Sequence, residues 1–185
     1  GRDAGKLAAA AEGLGGAGTP PRTLLFDATD AKAVRAAIDA FEQASGPIDI
    51  LVNNAGMQHR APLEEFAPEM FELLMRTNVS SAFNVGQAVS RHMIKRGRGK
   101  IINIASIQTA LARPGIAPYT ASKGALGNLT KGMATEWARY GLAVGDLLEV
   151  ISIALGSELL TTTVEGRERF AVTVRYPREL RQDPL

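Results

Sequence analysis

Cysteine is absent from the 185 residues, which excludes a disulfide framework and any thiolate metal site. An excess of one charge is also missing: 21 Lys and Arg face 19 Asp and Glu, a net charge of +2. That balance supplies no strong long-range field, so no nucleic acid and no anionic membrane is expected as a partner. Long apolar runs are lacking; the stretch 101–105 (IINIA) is among the longest and falls far short of a bilayer span. The opening GRDAGKLAAAAEGLGG has neither the apolar core nor the cleavage pattern of a signal peptide, and the expected location is cytoplasmic. No internal repeat and no low-complexity stretch is present. What remains is ordinary globular material, 45% hydrophobic and 22% charged, on a length suited to one domain or a domain with a small appendage.

Along the chain, apolar strands alternate with helical periodicities. Residues 3–14 are Ala-rich, with Leu7, Ala11 and Leu14 at helical spacing, and the Gly-Pro run 15–21 breaks them. Residues 22–26 (RTLLF) predict a short buried strand. Thr29 or Asp30 can cap the next helix, where Val34, Ile38 and Phe41 recur. Strands are expected at 48–52 and 100–105, and helices at about 67–95 and 119–139. Alternation of this kind implies parallel βαβ units covered on both faces: an α/β fold with a Rossmann-like doubly wound parallel sheet and flanking helices. After Gly141 the pattern changes, which divides the chain into 1–141 and 142–185. Residues 144–155 predict an amphipathic helix, and 168–175 a half-buried strand.

Tyr119-Thr120-Ala121-Ser122-Lys123 carries the strongest chemical signal. On a helix, Tyr119 and Lys123 share one face a turn apart. A phenol is a poor acid–base catalyst at neutral pH. An ammonium roughly 4 Å away contributes about 4 kcal/mol at an effective dielectric near 20, enough to bring a phenol toward the physiological range. Such a pair is a general acid–base. Ser106 follows strand 100–105, and Asn53-Asn54-Ala55-Gly56 follows strand 48–52. Both therefore lie at the carboxyl edge of a parallel sheet, where open α/β folds bind ligands. Asn78 sits inside the long helix, where Asn is not favoured. Alone, Ser106 reads equally well as a turn hydroxyl and Asn78 as a local backbone bond; together with Tyr119 and Lys123 they point to one site.

The combination of NNAG at 53–56, Asn78 in RTNVSSAF, Ser106 in NIASI and YTASK at 119–123 resembles the classical short-chain dehydrogenase/reductase family over 1–141. The likeness is strongest to gluconate 5-dehydrogenase-like members, through NNAGMQHRAPLEEF and the stretch from Ala110 to Leu142. The resemblance implies hydride exchange between a nicotinamide and a carbonyl or alcohol of a small, sugar-acid-like molecule. Tyr119 would pass the proton, Lys123 would lower its pKa and hold the nicotinamide ribose, Ser106 would orient the substrate oxygen, and Asn78 would hold a relay water. Asp27 would bond the adenine, Arg2 would accept a 2′-phosphate and so favour NADP, and Asn53, Ala55 and Gly56 would complete the cofactor wall. The two long helices would pair across a two-fold axis into a homodimer or homotetramer.

Two departures shape the expectations. The family's phosphate-binding turn, Thr-Gly-x-x-x-Gly-x-Gly, does not occur in the sequence. The core is expected to be truncated, with an opening of about 10 Å between strands 22–26 and 48–52 and with NADP binding weak or absent. A cofactor-independent hydrolase using Ser106, Tyr119 and Lys123 is then an alternative, without a Gly-x-Ser-x-Gly elbow to support it; an inactive oligomeric scaffold is another. Residues 142–185, through TTTVEGRERF and VTVRYPRELR, resemble a periplasmic segment of resistance-nodulation-division heavy-metal efflux pumps, so the chain is expected to be a chimera whose tail completes the sheet.

Overall fold

A computed structural model describes residues 1–14, 21–146, 159–165 and 168–173, with backbone alone for Asp146 and the last two segments. Helix α1 covers Ala4–Leu14 and α2 covers Ala31–Ser45. Asp30 caps α2, its carboxylate accepting from the Lys32 and Ala33 amides at 2.9 and 3.0 Å. Strand β1 is Ile50–Asn53. The expected long helix runs as α3 (Pro68–Met75), a π turn (Arg76–Ser80) and α4 (Ser81–Arg96). Strand β2 is Gly99–Asn103, α5 is Ala117–Trp137 with Pro118 in its first turn, and β3 is Leu142–Asp146.

The three strands form one parallel sheet in the order β1–β2–β3, with Leu51 beside Ile101 and Ile101 beside Val144. Helices α2 and α4 close one face over a core of Val34, Ile38, Val85, Val89, Met93 and Ile101. Glu42 ties α2 to this unit: it accepts from Arg96 at 2.6 Å and from the Ile48 amide at 2.9 Å, while Arg96 donates to the Ile48 carbonyl at 2.8 Å. These bonds fix where β1 begins. The turn into β2 and the turn into β3 are pressed together at Gly97 and Gly141. Gly141 has φ 78°, and a Cβ there would collide with the Gly97 carbonyl. The α/β parallel architecture is thus as expected. The covering is one-sided at β1, however, where Ile50 and Val52 are 58% and 52% exposed.

Two expected elements differ. Among the described residues, 22–26 join no sheet ladder. Their backbone bonds go to Gly1: Phe26 N–H donates to its carbonyl at 2.9 Å, and its amine donates to the Leu24 carbonyl at 3.0 Å. A strand needs a neighbouring edge along its length, and among the described residues no strand lies beside 22–26. Helix 144–155 is not what begins there; Leu142–Asp146 is the third parallel strand, and 147–158 lie outside the described residues. Helical spacing outweighed the short apolar stretch Leu142–Val144, which periodicity alone cannot assign. Glu168–Thr173 is a strand, as expected, and pairs antiparallel with Leu159–Glu165; 174–175 lie outside the described residues. Among the described residues no helix is long and apolar enough to cross a membrane.

Candidate active site

The carboxyl ends of β1 and β2 lie side by side, and side-chain amides join them. Asn53 Nδ2 donates to Asn103 Oδ1 at 2.9 Å, and Asn103 Nδ2 donates to Thr130 Oγ1 on α5 at 2.8 Å. Asn103 is wholly buried. The Asn53 side chain is therefore committed to the protein, and its backbone begins the loop Asn54–Met57. That loop is fastened to the π turn. Asn78 Oδ1 accepts the Met57 N–H at 2.7 Å, and Asn78 Nδ2 donates to the Met57 carbonyl and to Ser122 Oγ, both at 2.9 Å. With both amide hydrogens placed, the Asn78 side chain has none left to donate to a relay water.

Tyr119 stands half-buried in the first turn of α5, with Lys123 one turn on and its Nζ 5.9 Å from the phenol ring centre. Lys123 is only 6% exposed, and Nζ donates to the Ile104 carbonyl at 2.6 Å. Burial pushes the Lys123 ammonium below the usual lysine range. Both side chains line a pocket of about 310 Å³ with Asn54, Gly56, Gln58 and Ala105. Gly56 belongs at this junction: a Cβ there would stand 3.4 Å from Asn78 Oδ1 and 3.9 Å from Lys123 Nζ. Ser106 follows Ala105 and starts a short 3₁₀ turn, its Oγ accepting the Gln108 N–H at 3.2 Å. Among the described residues no hydrogen bond joins Ser106 to Tyr119 or Lys123.

A second cavity, of about 540 Å³, opens between residues 24–29 and β1. Arg2, Asp27, Asn53, Ala55 and Gly56 all line it, and Asn54 and Gly56 also belong to the Tyr119 pocket. Asp27 accepts from the Thr29 N–H and hydroxyl, both at 2.8 Å, and lies 3.5 Å from the Arg2 guanidinium. Those Thr29 bonds, and then Arg2, hold its carboxyl below the usual range. All nine residues singled out from the sequence thus fall on the two connected cavities or the loops that frame them. Asn103, Thr130 and Ser122 were missed; the polar ending of an otherwise apolar strand, Ile102-Asn103-Ile104, was the available signal.

A family model described as short chain dehydrogenase matches residues 1–165. Gluconate 5-dehydrogenase of Gluconobacter oxydans is 58% identical over 147 residues, 80% of this chain and 57% of that protein. The 5-keto-D-gluconate 5-reductase of Escherichia coli K12 is 45% identical over 122 residues, 66% of this chain and 48% of that protein. A crystal structure of a gluconate 5-dehydrogenase from Burkholderia cenocepacia, in complex with NADP and tartrate, superposes with a TM-score of 0.75 at 53% identity, over 79% of this chain and 57% of that one. The chain spans about half the length of the curated relatives it matches. Residue 141 falls inside the matched span, and nothing in these comparisons supports a likeness of 142–185 to an efflux pump. With its Tyr119–Lys123 turn, its Asn78 clamp and a family match over 165 residues, the chain belongs to the short-chain dehydrogenase family.

Proposed function

We propose that the chain carries the catalytic part of an oxidoreductase that exchanges a hydride between NADP(H) and a small hydroxy or keto compound of the sugar-acid type. The observation that carries this reading is the Tyr119–Lys123 turn, with the ammonium buried against the Ile104 carbonyl beside the Asn54–Gly56 loop. Tyr119 gives its phenolic proton to the carbonyl oxygen as that carbon is reduced, and takes it back in the oxidation. Lys123 places positive charge where the phenolate develops. Ser106, at the end of β2, orients the substrate oxygen. In this reading Asp27 receives the adenine, and the Arg2 guanidinium, 72% exposed in its side chain, receives a 2′-phosphate. When bound, NADPH would supply the hydride in the reduction and NADP would accept it in the oxidation.

The sugar-acid class is supported by the names of the relatives. Because the phosphate-binding turn does not occur in the 185 residues, NADPH affinity is expected to be weaker than micromolar, each absent charge-assisted bond costing about 1.5–3 kcal/mol. Assembly as a homodimer or homotetramer belongs to the same reading. Phe83 on α4 remains 42% exposed, whereas Val89, Leu126 and Met133 are buried within the chain. A hydrolytic role finds no support, since Lys123 is bonded to a backbone carbonyl and Ser106 caps its own turn.

The test is turnover of gluconate with NADP, followed by nicotinamide absorbance, with Tyr119→Phe beside the parent chain. Loss of about 10² or more in the variant is expected. Undiminished turnover in Tyr119→Phe would place the proton transfer elsewhere.

A further inference from the structure

Between Tyr119 and Lys123 lies a residue with no part in the proton transfer and no exposed surface. Ser122 is wholly buried. Its hydroxyl donates to the Tyr119 backbone carbonyl at 2.7 Å and accepts from Asn78 Nδ2 at 2.9 Å. The same Asn78 amide is bonded twice to Met57, at 2.7 and 2.9 Å. Met57, Asn78, Ser122 and Tyr119 therefore form one unbroken bridge. It joins three segments far apart in sequence: the loop after β1, the π turn and the first turn of α5.

A serine that only back-bonds to the preceding turn brings a helix nothing, and slightly destabilises it. Here that bond leaves the oxygen's remaining acceptor capacity facing Asn78, and a buried Asn Nδ2 hydrogen without an acceptor is costly. Alanine would fill nearly the same volume and leave that hydrogen unpaired where no solvent reaches. The hydroxyl, more than the volume, is what the site requires.

We infer that Ser122 is a positioning residue: its hydroxyl locks the first turn of α5, and with it Tyr119, to the Asn78–Met57 junction. The phenol and the Asn54–Met57 loop then keep one relative placement. This rests on the function proposed above, which gives Tyr119 the proton transfer. The role of Ser122 is to hold the phenol in register with whatever lies against that loop.

The experiment compares the parent chain with Ser122→Ala in two measurements. The first is residue-resolved amide hydrogen exchange, which needs neither cofactor nor turnover. Met57 N–H should exchange about tenfold faster in Ser122→Ala, the scale of one hydrogen bond. Ile102 N–H, inside the sheet, should stay within about twofold. The second is steady-state oxidation of gluconate with NADP, where kcat should fall about tenfold while KM for gluconate stays within about twofold. If Ser122→Ala does not fold, Ser122→Cys retains the shape and a weak donor, and the same two amides are compared at an expected threefold effect. Met57 exchange that is unchanged, or that rises together with Ile102, overturns the bridge whatever the kinetics show. A parent chain without turnover but with the Met57-specific effect supports the bridge and removes the functional reading instead. A KM effect at constant kcat would also overturn the positioning role.

Discussion

Lys123 gives the sharpest test of the site's energetics. Its ammonium lies in a setting 6% exposed, and of its three hydrogens only the bond to the Ile104 carbonyl is identified. Among the described residues no carboxylate pairs with it. Desolvating an ammonium costs several kcal/mol, and one carbonyl bond with a distant aromatic face offsets part of that. Lys123→Met preserves the length and apolar contacts of the stem and removes the charge. It should therefore stabilise the fold by about 1–3 kcal/mol at neutral pH, a rise in Tm of roughly 3–10 °C at this chain length, while abolishing turnover. The sign of the pH dependence follows from the direction of the shift. Burial holds Lys123 below the usual lysine range, so between the folded and unfolded pKa values the unfolded chain binds more protons. The parent's stability then rises with pH through that window, and the advantage of Lys123→Met shrinks as pH climbs toward the ordinary lysine value. Urea unfolding of both chains from pH 7 to about pH 10 measures the difference. A variant less stable than the parent at neutral pH, or a gap that does not change with pH, would show that the ammonium is adequately solvated and the reasoning mistaken.

Asn103→Leu should cost about 2–4 kcal/mol, because it strips an acceptor from Asn53 and a donor from Thr130 inside the core; equilibrium denaturation measures it, and a neutral result would show that the amide chain closes without it. Asp39, 2.7 Å from His92 Nε2, is held below the usual carboxylate range chiefly by that bond. Its contribution is present above the ordinary carboxylate pKa and is lost as pH falls through its lowered value, so Asp39→Asn should flatten the acid limb of stability against pH. Gly141→Ala should destabilise by about 2 kcal/mol or more, since φ 78° and the Gly97 carbonyl both oppose a Cβ; a thermal melt reads it directly.

The candidate site residues were legible because each is tied to a local spacing. Tyr119 and Lys123 lie one turn apart, and Asn53–Gly56 and Ser106 each terminate an apolar run. Their partners were not. Asn103 reaches Asn53 across 50 positions and Ser122 reaches Asn78 across 44, and no periodicity encodes a side-chain hydrogen bond of that range. Asn78 was noticed as an oddity in a helix, yet the π turn that accommodates it depends on tertiary bonds to Met57 and Ser122. Strands fared according to their neighbours. β1 and β2 hold each other, whereas 22–26, just as apolar in sequence, meets no neighbouring strand among the described residues. Leu142–Asp146 was misjudged because five residues cannot display a period, and the edge of β2 decided their conformation.

The outer edge of β1 has a consequence for behaviour in concentrated solution. Asp49, Leu51 and Asn53 direct their carbonyl or amide groups to β2, so the N–H and C=O of Ile50 and Val52 face the other way, beneath side chains more than half exposed. Among the described residues no strand pairs with that edge, and such an edge is a template for another strand. It can join two molecules edge to edge with no involvement of α4 or α5. A dimer mass in light scattering can therefore arise from either seam. Val52→Lys separates them: a charge on the strand edge dissolves edge-to-edge pairs and slows aggregation, but leaves a helix-mediated dimer intact.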